Sequence, residues 1–293
     1  MLIKEVKKQF LDALSVWNDP METESMFHIV LEKLHKLKRI DLALDPDLKI
    51  SDLDIKRWSE IISELKTQKP IQYILGETEF FGLKFKVNQH TLIPRQETEE
   101  LVDLILVQIK NEHLKNLKIV DLGTGSGCIA IALAKNSSDS AVFAVDVSDK
   151  ALEIAKINAR QNGVDVQFIK ADILKTEDLN EFATSNTEEE IIFDIIVSNP
   201  PYVRNLEKHE IKPNVLEFEP HLALFVDDTD ALLFYRKIGE LAFKNLKENG
   251  KLFFEINQYL GKETKELLRN IGFANVQIIK DIYGNDRMIH AFR

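Results

Sequence analysis

The apolar run Ile192-Phe193-Asp194-Ile195-Ile196-Val197-Ser198 leads directly into Asn199-Pro200-Pro201-Tyr202. A short apolar run closed by a Pro-Pro turn reads as a buried strand ending in a rigid loop. The four loop residues suit the chemistry of a delocalised nitrogen. An amide or exocyclic amine is a weak nucleophile, because its lone pair is conjugated. To attack a methyl group it must be stripped of water and aligned with the bond that breaks. Acceptors on its N–H groups must also draw off the positive charge that develops. Asn199 offers a side-chain oxygen. Pro200 has no N–H but keeps a free carbonyl, and the Pro200-Pro201 pair stiffens the turn so that both acceptors are fixed beforehand. Tyr202 offers a flat face for a planar group. No Ser–His–Asp or Cys–His pattern competes with this site.

A second segment points to the methyl donor. Ile119-Val120-Asp121-Leu122-Gly123-Thr124-Gly125-Ser126-Gly127 is an apolar strand running into a glycine-rich turn and then a helix. Open α/β sheets bind ligands at this carboxyl edge, and glycines let the backbone approach them closely. The run Gly125-Ser126-Gly127-Cys128-Ile129-Ala130 also fits the dinucleotide pattern G-x-G-x-x-A, so an NAD-dependent oxidoreductase is a competing class. Asp121 weighs against it. A carboxylate beside the turn repels a pyrophosphate and attracts the sulfonium and ammonium of S-adenosylmethionine. Asp146 ends the next strand, where an acidic residue receives ribose hydroxyls. Asp172 follows the third strand and is placed to contact the adenine. The expected cofactor is S-adenosylmethionine, released as S-adenosylhomocysteine.

The elements that must position these residues fall into two blocks. Residues 1–69 read as a small helical bundle. Leu2, Val6, Phe10, Leu14 and Trp17 keep helical spacing up to a break at Pro20. Phe27, Val30, Leu31, Leu34 and Leu37 line a second helix, and Ser51 caps a third. The bundle is either a packing module or a substrate-recognition domain, and the latter is the expectation carried forward. Residues 70–94 read as a linker holding a β-hairpin around Gly82. From Arg95 to Arg293 helices and strands alternate, which implies an α/β fold with a parallel sheet covered on both faces. Two strands near 275–280 and 287–292 lie too close for a helical crossover and form an antiparallel hairpin. Thr176 to Glu190 is polar and acidic and reads as a solvated loop.

Composition narrows the function classes. The chain has 293 residues, 44% apolar and 29% charged, as expected of about two globular domains. No apolar stretch is long enough for a membrane helix, and the N-terminus lacks the apolar core of a signal peptide. A cytoplasmic protein without membrane partners is expected. A single cysteine, Cys128, excludes an intrachain disulfide, and the seven histidines lack metal-ligand spacing. The net charge is -10, and nearly all of the acidic excess lies beyond residue 90, in the block that carries the chemistry. A basic face normally dominates nucleic-acid affinity, so no direct nucleic-acid partner is expected.

Taken together, the motifs resemble the bacterial release-factor glutamine methyltransferases, the PrmC/HemK family. The resemblance covers nearly the whole chain. It rests on Pro70-Ile71-Gln72-Tyr73-Ile74-Leu75-Gly76, on Thr91-Leu92-Ile93-Pro94-Arg95-Gln96-Glu97-Thr98-Glu99, on the turn Asp121 to Gly127, on Asp146 and on Asn199 to Tyr202. Phe218-Glu219-Pro220 and Tyr283-Gly284-Asn285-Asp286-Arg287 complete the order. It implies a Rossmann-like class I methyltransferase domain behind an N-terminal helical domain. It implies methylation of glutamine N5 in the Gly-Gly-Gln motif of peptide-chain release factors. By position, Gly123, Thr124, Gly125, Ser126, Gly127, Asp146, Asp172 and Asn199 would hold the cofactor. Asn199 and the Pro200 carbonyl would hold the glutamine amide, flanked by Pro201 and Tyr202. Ile173 stands where some members carry an aromatic residue, so packing on the adenine would be aliphatic. The segment before Arg95 would cover the cofactor, with Arg95, Glu97 or Thr98 shaping the site. An N-P-P-Y amino methyltransferase acting on DNA or ribosomal RNA shares the catalytic turn and is the alternative.

Overall fold

The computed structural model describes residues 1–16, 19–45, 47–182 and 190–293, so Trp17 lies outside the described residues. The chain divides into two compact units, Met1–Gly76 with Lys212–Phe218, and Glu77–Ile211 with Glu219–Arg293.

The smaller unit is helical. Helix α1 (Ile3–Leu14) buries Ile3, Val6, Phe10 and Leu14 along one face. Pro20 does more than break that run. It opens α2 (Pro20–His35) at a position where no helical N–H is needed, and the Asp19 carboxylate caps the Met21 and Glu22 amides. The short α3 (Arg39–Leu44) buries nothing. Helix α4 (Asp52–Leu65) is capped by Ser51, and α5 (Ile71–Leu75) stops at Gly76 with φ of +69°. Phe10, Phe27 and Trp58 meet in the core, with Phe27 stacked on Trp58 at 5.1 Å between ring centroids. The buried indole N–H of Trp58 donates to His35 Nε2 at 3.0 Å. Of the segment 70–94, α5 groups with this unit and the hairpin with the larger one.

The larger unit begins with that hairpin, β1 (Glu77–Phe80) and β2 (Leu83–Lys86). Phe81 and Gly82 both take positive φ in its two-residue turn. Alternation follows: α6 (Gln96–Asn111), β3 (Lys118–Leu122), α7 (Cys128–Asn136), β4 (Ala141–Asp146), α8 (Asp149–Asn162), β5 (Gln167–Lys170) and β6 (Phe193–Ser198). The connection from β6 onward holds β7 (Val203–Arg204), a tight turn over Asn205–Glu210, α9 (Pro213–Phe218), α10 (His221–Leu224) and β8 (Phe225–Val226). None of these short elements has a period the sequence could reveal. Lys212, which with α9 groups with the helical unit, pairs with Glu22 at 3.4 Å. The chain closes with α11 (Leu233–Asn245), β9 (Leu246–Glu255), α12 (Gly261–Ile271), β10 (Asn275–Lys280) and β11 (Asp286–Phe292).

Seven strands form one sheet in the order β10-β11-β9-β6-β3-β4-β5. The pairs β6–β9, β3–β6, β3–β4 and β4–β5 are parallel, and β11 is antiparallel to both neighbours. Both faces are buried. Ile119, Ile195 and Val197 face one core with Leu101, Ile105, Ile129 and Leu133. Val120, Leu122 and Ile196 face the other with Tyr235, Ile238, Leu241 and Leu268. This two-sided burial explains why the strands read as continuous apolar runs.

The expectation of a fully solvated loop from Thr176 to Glu190 is corrected. Thr176, Leu179 and Phe182 are buried, and the latter two sit in a tight turn that closes the sheet's second face. Residues 183–189 lie outside the described residues. No helix among the described residues is long and apolar enough to cross a membrane, and no cluster there could hold a metal ion.

Asn158, fully buried on α8, ties this scaffold to the glycine turn. Its Oδ1 accepts from the Lys86 amide at 2.6 Å, and its Nδ2 donates to the carbonyls of Lys86 and Ser126 at 3.0 and 2.9 Å. Asn158→Ala strands these buried backbone groups and is expected to cost about 2–4 kcal/mol. Urea denaturation checks this: the midpoint falls with an unchanged slope, whereas an unchanged midpoint would show that water replaces the side chain.

Candidate active site

A cavity of about 380 Å³ opens at the carboxyl ends of β3, β4, β5 and β6. The sheet's parallel pairing aligns these four ends, and the loops that leave them supply the walls.

After β3 the chain turns back sharply. The Gly123 and Thr124 amides both donate to the Val145 carbonyl, at 2.8 and 2.9 Å. Gly123 and Gly125 take φ of +81° and +56°, which a side chain would oppose. The Gly125 amide donates to Asp146 Oδ2 at 2.8 Å, and the Ser148 amide donates to Oδ1 at 2.8 Å. Asp146 thus fastens the loop after β4 to the turn after β3. Burial raises its carboxyl pKa against the pull of these amides. Gly123, Thr124, Gly125, Ser126 and Asp146 all line the cavity.

Two turn residues do not line it. Gly127, with φ of +83°, has its backbone against α7 and α8, where a Cβ would sit 2.9 Å from Ile131 and 3.1 Å from Ala155. Asp121 lies beneath the turn, wholly buried, with its Oδ2 accepting from the Thr124 hydroxyl at 2.6 Å. Its Oδ1 has no hydrogen-bond partner among the described residues. Burial pushes its pKa up to about 7. Any attraction it exerts on a cation in the cavity therefore passes through the turn. Asp172 lines the far wall, where its Oδ1 accepts from the Leu174 amide at 3.1 Å. Ile173 and Leu174 beside it make that wall aliphatic.

The loop after β6 forms the floor. Asn199, Pro200 and Pro201 line the cavity, and Tyr202 does not. The Asn199 Nδ2 donates to Thr98 Oγ1 at 3.2 Å, and the Thr98 hydroxyl donates to Glu255 Oε2 at 2.6 Å. The Tyr202 hydroxyl donates to the other oxygen of Glu255 at 2.9 Å. Burial drives the Tyr202 pKa well above its ordinary value, with the Glu255 carboxylate acting the same way. Burial likewise raises the Glu255 carboxyl, opposed by the two hydroxyls and by Arg287. Asn257 donates to the Tyr202 carbonyl at 3.0 Å and to Glu207 at 2.8 Å. Asn199 Oδ1 has no protein donor among the described residues, which leaves it as an acceptor.

The segment before Arg95 is held by a second buried carboxylate. Glu219 accepts from the Ile93 amide at 3.0 Å and from Arg95 at 2.5 Å. Gln89, His90, Thr91, Leu92, Pro94 and Arg95 line the cavity. Sequence reasoning missed the roles of Glu255, Glu219 and Asn257. For Glu255 a signal was available: it ends the apolar run Leu252-Phe253-Phe254 at the carboxyl edge, as Asp146 ends β4.

Comparison with known proteins agrees with this architecture. A methyltransferase domain family matches residues 113–284, and the PrmC N-terminal domain family matches residues 9–76. A release factor glutamine methyltransferase of Flavobacterium psychrophilum is 62% identical over 290 residues, covering 99% of this chain and 98% of that one. Another, of Bacteroides thetaiotaomicron, is 41% identical over 274 residues, covering 94% of each. Among solved structures, the catalytic domain of hMettl16 in complex with a 3'UTR hairpin has the same fold, with a TM-score of 0.55 at 18% identity over 78% of this chain and 89% of that one. On these likenesses, the chain belongs to the release factor glutamine methyltransferase family.

Proposed function

We propose that this chain transfers a methyl group from S-adenosylmethionine to the side-chain N5 of the glutamine in the Gly-Gly-Gln motif of bacterial peptide-chain release factors. The observation that carries the reading is the Asn199 amide. Its nitrogen is taken by Thr98, so its oxygen is left for a donor in the cavity. A glutamine amide is such a donor, with two N–H groups to give.

The cavity suits the cofactor. An orphaned carboxylate oxygen, Asp121 Oδ1, lies beneath the glycine turn and favours a cationic group above it. Glycines without side chains, the Asp146 carboxylate and an aliphatic wall at Ile173 all line the cavity. Gly123, Thr124, Gly125, Ser126 and Asp146 would hold the cofactor, with Asp121 acting through the turn, Gly127 keeping its shape and Asp172 facing the adenine. When bound, S-adenosylmethionine supplies a methyl group made electrophilic by its sulfonium.

The residues of this chain prepare the acceptor. Asn199 Oδ1 and the Pro200 carbonyl accept hydrogen bonds from the two amide N–H groups, orient the nitrogen and stabilise positive charge as it develops there, and one of these N–H protons is released to leave the neutral N-methyl amide. The prolines keep both acceptors rigid. Pro201 flanks the group, Tyr202 stands behind the loop with its hydroxyl on Glu255 rather than beside the amide as its sequence position suggests, and the segment from Gln89 to Pro94 excludes water. The N-terminal helical unit is assigned to recognition of the release factor.

Transfer of labelled methyl from S-adenosylmethionine to a purified release factor tests the function. Label is expected on the wild-type factor and not on a Gly-Gly-Gln to Gly-Gly-Ala variant. Label on DNA or ribosomal RNA instead would move the chain to the amino methyltransferases. Asn199→Ala is expected to keep cofactor affinity and lower kcat by about 10²–10³-fold, as for loss of one preorganised group at the reacting centre. Equal loss of cofactor binding in calorimetry would refute that division. Cofactor affinity should also follow Asp121. With its pKa near 7, the carboxyl is largely protonated at pH 6, and a cation binds best to the ionised form. Kd is therefore expected to rise from pH 8 to pH 6, by at most about tenfold per pH unit. Asp121→Asn should flatten the profile, and an unchanged slope in that variant would assign the dependence elsewhere.

A further inference from the structure

The buried side chains behind Asn199 decide which end of its amide meets the substrate. We propose that Glu255, acting through Thr98, is a positioning residue that forces Asn199 to present its oxygen, and never its NH2, to the reacting nitrogen. The proposal rests on the methyl-transfer reading above and adds to it the device that sets the polarity of the acceptor.

The carboxyl of Glu255 accepts on both sides, from the hydroxyls of Thr98 and Tyr202. They donate to different oxygens, at 2.6 and 2.9 Å. Thr98 has one hydroxyl proton, and Glu255 takes it. What Thr98 can offer Asn199 is a lone pair. Only the NH2 end of the amide can use it, and that bond is present at 3.2 Å. Amide oxygen and nitrogen are nearly equal in size, so packing alone does not choose between the two orientations. The direction of the hydrogen-bond chain does. Reversing the first link would let Thr98 donate to the Asn199 oxygen, and the NH2 would then face the N–H groups of the substrate, two donors against each other.

The surroundings keep the chain in this direction. Glu255 is 1% exposed, so water does not supply a competing proton. Arg287 on β11, held by Asp281 at 3.1 Å, favours the charged form of Glu255, against the burial that raises its carboxyl. Thr98 is 2% exposed in the first turn of α6, where the Thr98 amide donates to the Arg95 carbonyl at 3.2 Å. Glu255, Thr98 and Asn199 stand on three separate elements, β9, α6 and the loop after β6, and meet only in the folded unit. Glu255 touches neither the cavity nor the reacting atoms; it acts through Thr98.

Glu255→Gln is the decisive change. It keeps the shape but adds an NH2 that can donate to Thr98, freeing the Thr98 proton for the Asn199 oxygen. Steady-state kinetics with S-adenosylmethionine and purified release factor should show kcat lowered by about a hundredfold, the size of effect that misplacement of a reacting group produces. KM for the release factor and Kd for the cofactor should stay within about twofold. Thr98→Val should behave alike, and Thr98→Ser, which keeps the hydroxyl, should restore kcat to within about threefold. Because both residues act along one chain, Glu255→Gln with Thr98→Val should be no slower than the slower single variant. Multiplying losses, a loss confined to cofactor Kd, or failure of Thr98→Ser to restore activity would each overturn the proposal. If Glu255→Gln does not fold, the contrast between Thr98→Val and Thr98→Ser decides alone. The side-chain amide resonances of Asn199, assigned by their absence in Asn199→Ala, give a readout that needs no release factor. They should move in Thr98→Val and return in Thr98→Ser, and unmoved signals would overturn the assignment. Wild-type inactivity on the release factor alongside the expected shifts would instead overturn the substrate reading and leave the positioning device standing.

Discussion

The adjacency of β3 and β6 is the constraint on which the site depends. Their parallel register pairs Asp121 with Val197, so both strands run out at the same level. One residue further on, the buried Ser198 hydroxyl donates to the Leu122 carbonyl at 2.5 Å. That single bond replaces the next ladder rung and fixes the start of the glycine turn against the start of the Asn-Pro-Pro-Tyr loop. A methyl donor on one and a methyl acceptor on the other can then meet without either loop having to search. Reaction between two held groups gains chiefly from such fixed separation.

Around this pair, buried carboxylates and amides from distant segments hold the backbone of each loop. Asp146 fixes the glycine turn, Glu219 fixes the segment before Arg95, and Asn257 fixes the carbonyl of Tyr202. Each buried acceptor is filled by a specific donor, as the cost of an unpaired buried group requires. Asp121 differs, with one oxygen unfilled and a pKa near 7, and the Ser126 hydroxyl of the same turn is likewise without a partner among the described residues.

Much of this was legible in the sequence because it is local. The Ser148 cap and the Gly163 stop of α8, the apolar runs of β3, β4 and β6, and the turn signals at Gly82 and Pro200 each act over a few residues. What was not legible depends on partners far along the chain. Glu219 lies 126 positions from Ile93, and Thr98 lies 157 from Glu255. Nothing near either residue announces its partner. Asp121 was read as facing the ligand because its place before the glycines is visible, whereas its burial is set by α7 packing over the turn. The buried Leu179 and Phe182 were hidden by the polar residues around them.

The order of the sheet has a further consequence, for how the chain reaches this state. Strand β11 follows β10 in the chain but lies between β10 and β9 in the sheet. During synthesis β6 and β9 can pair while the outer edge of β9 still waits for the last strand to emerge. That edge carries the buried run Leu252-Phe253-Phe254, an apolar template open to other chains until β11 covers it. The same strand brings Arg287, which favours the charged form of Glu255. Covering that edge and bringing Arg287 toward Glu255 therefore both depend on the one segment 286–292.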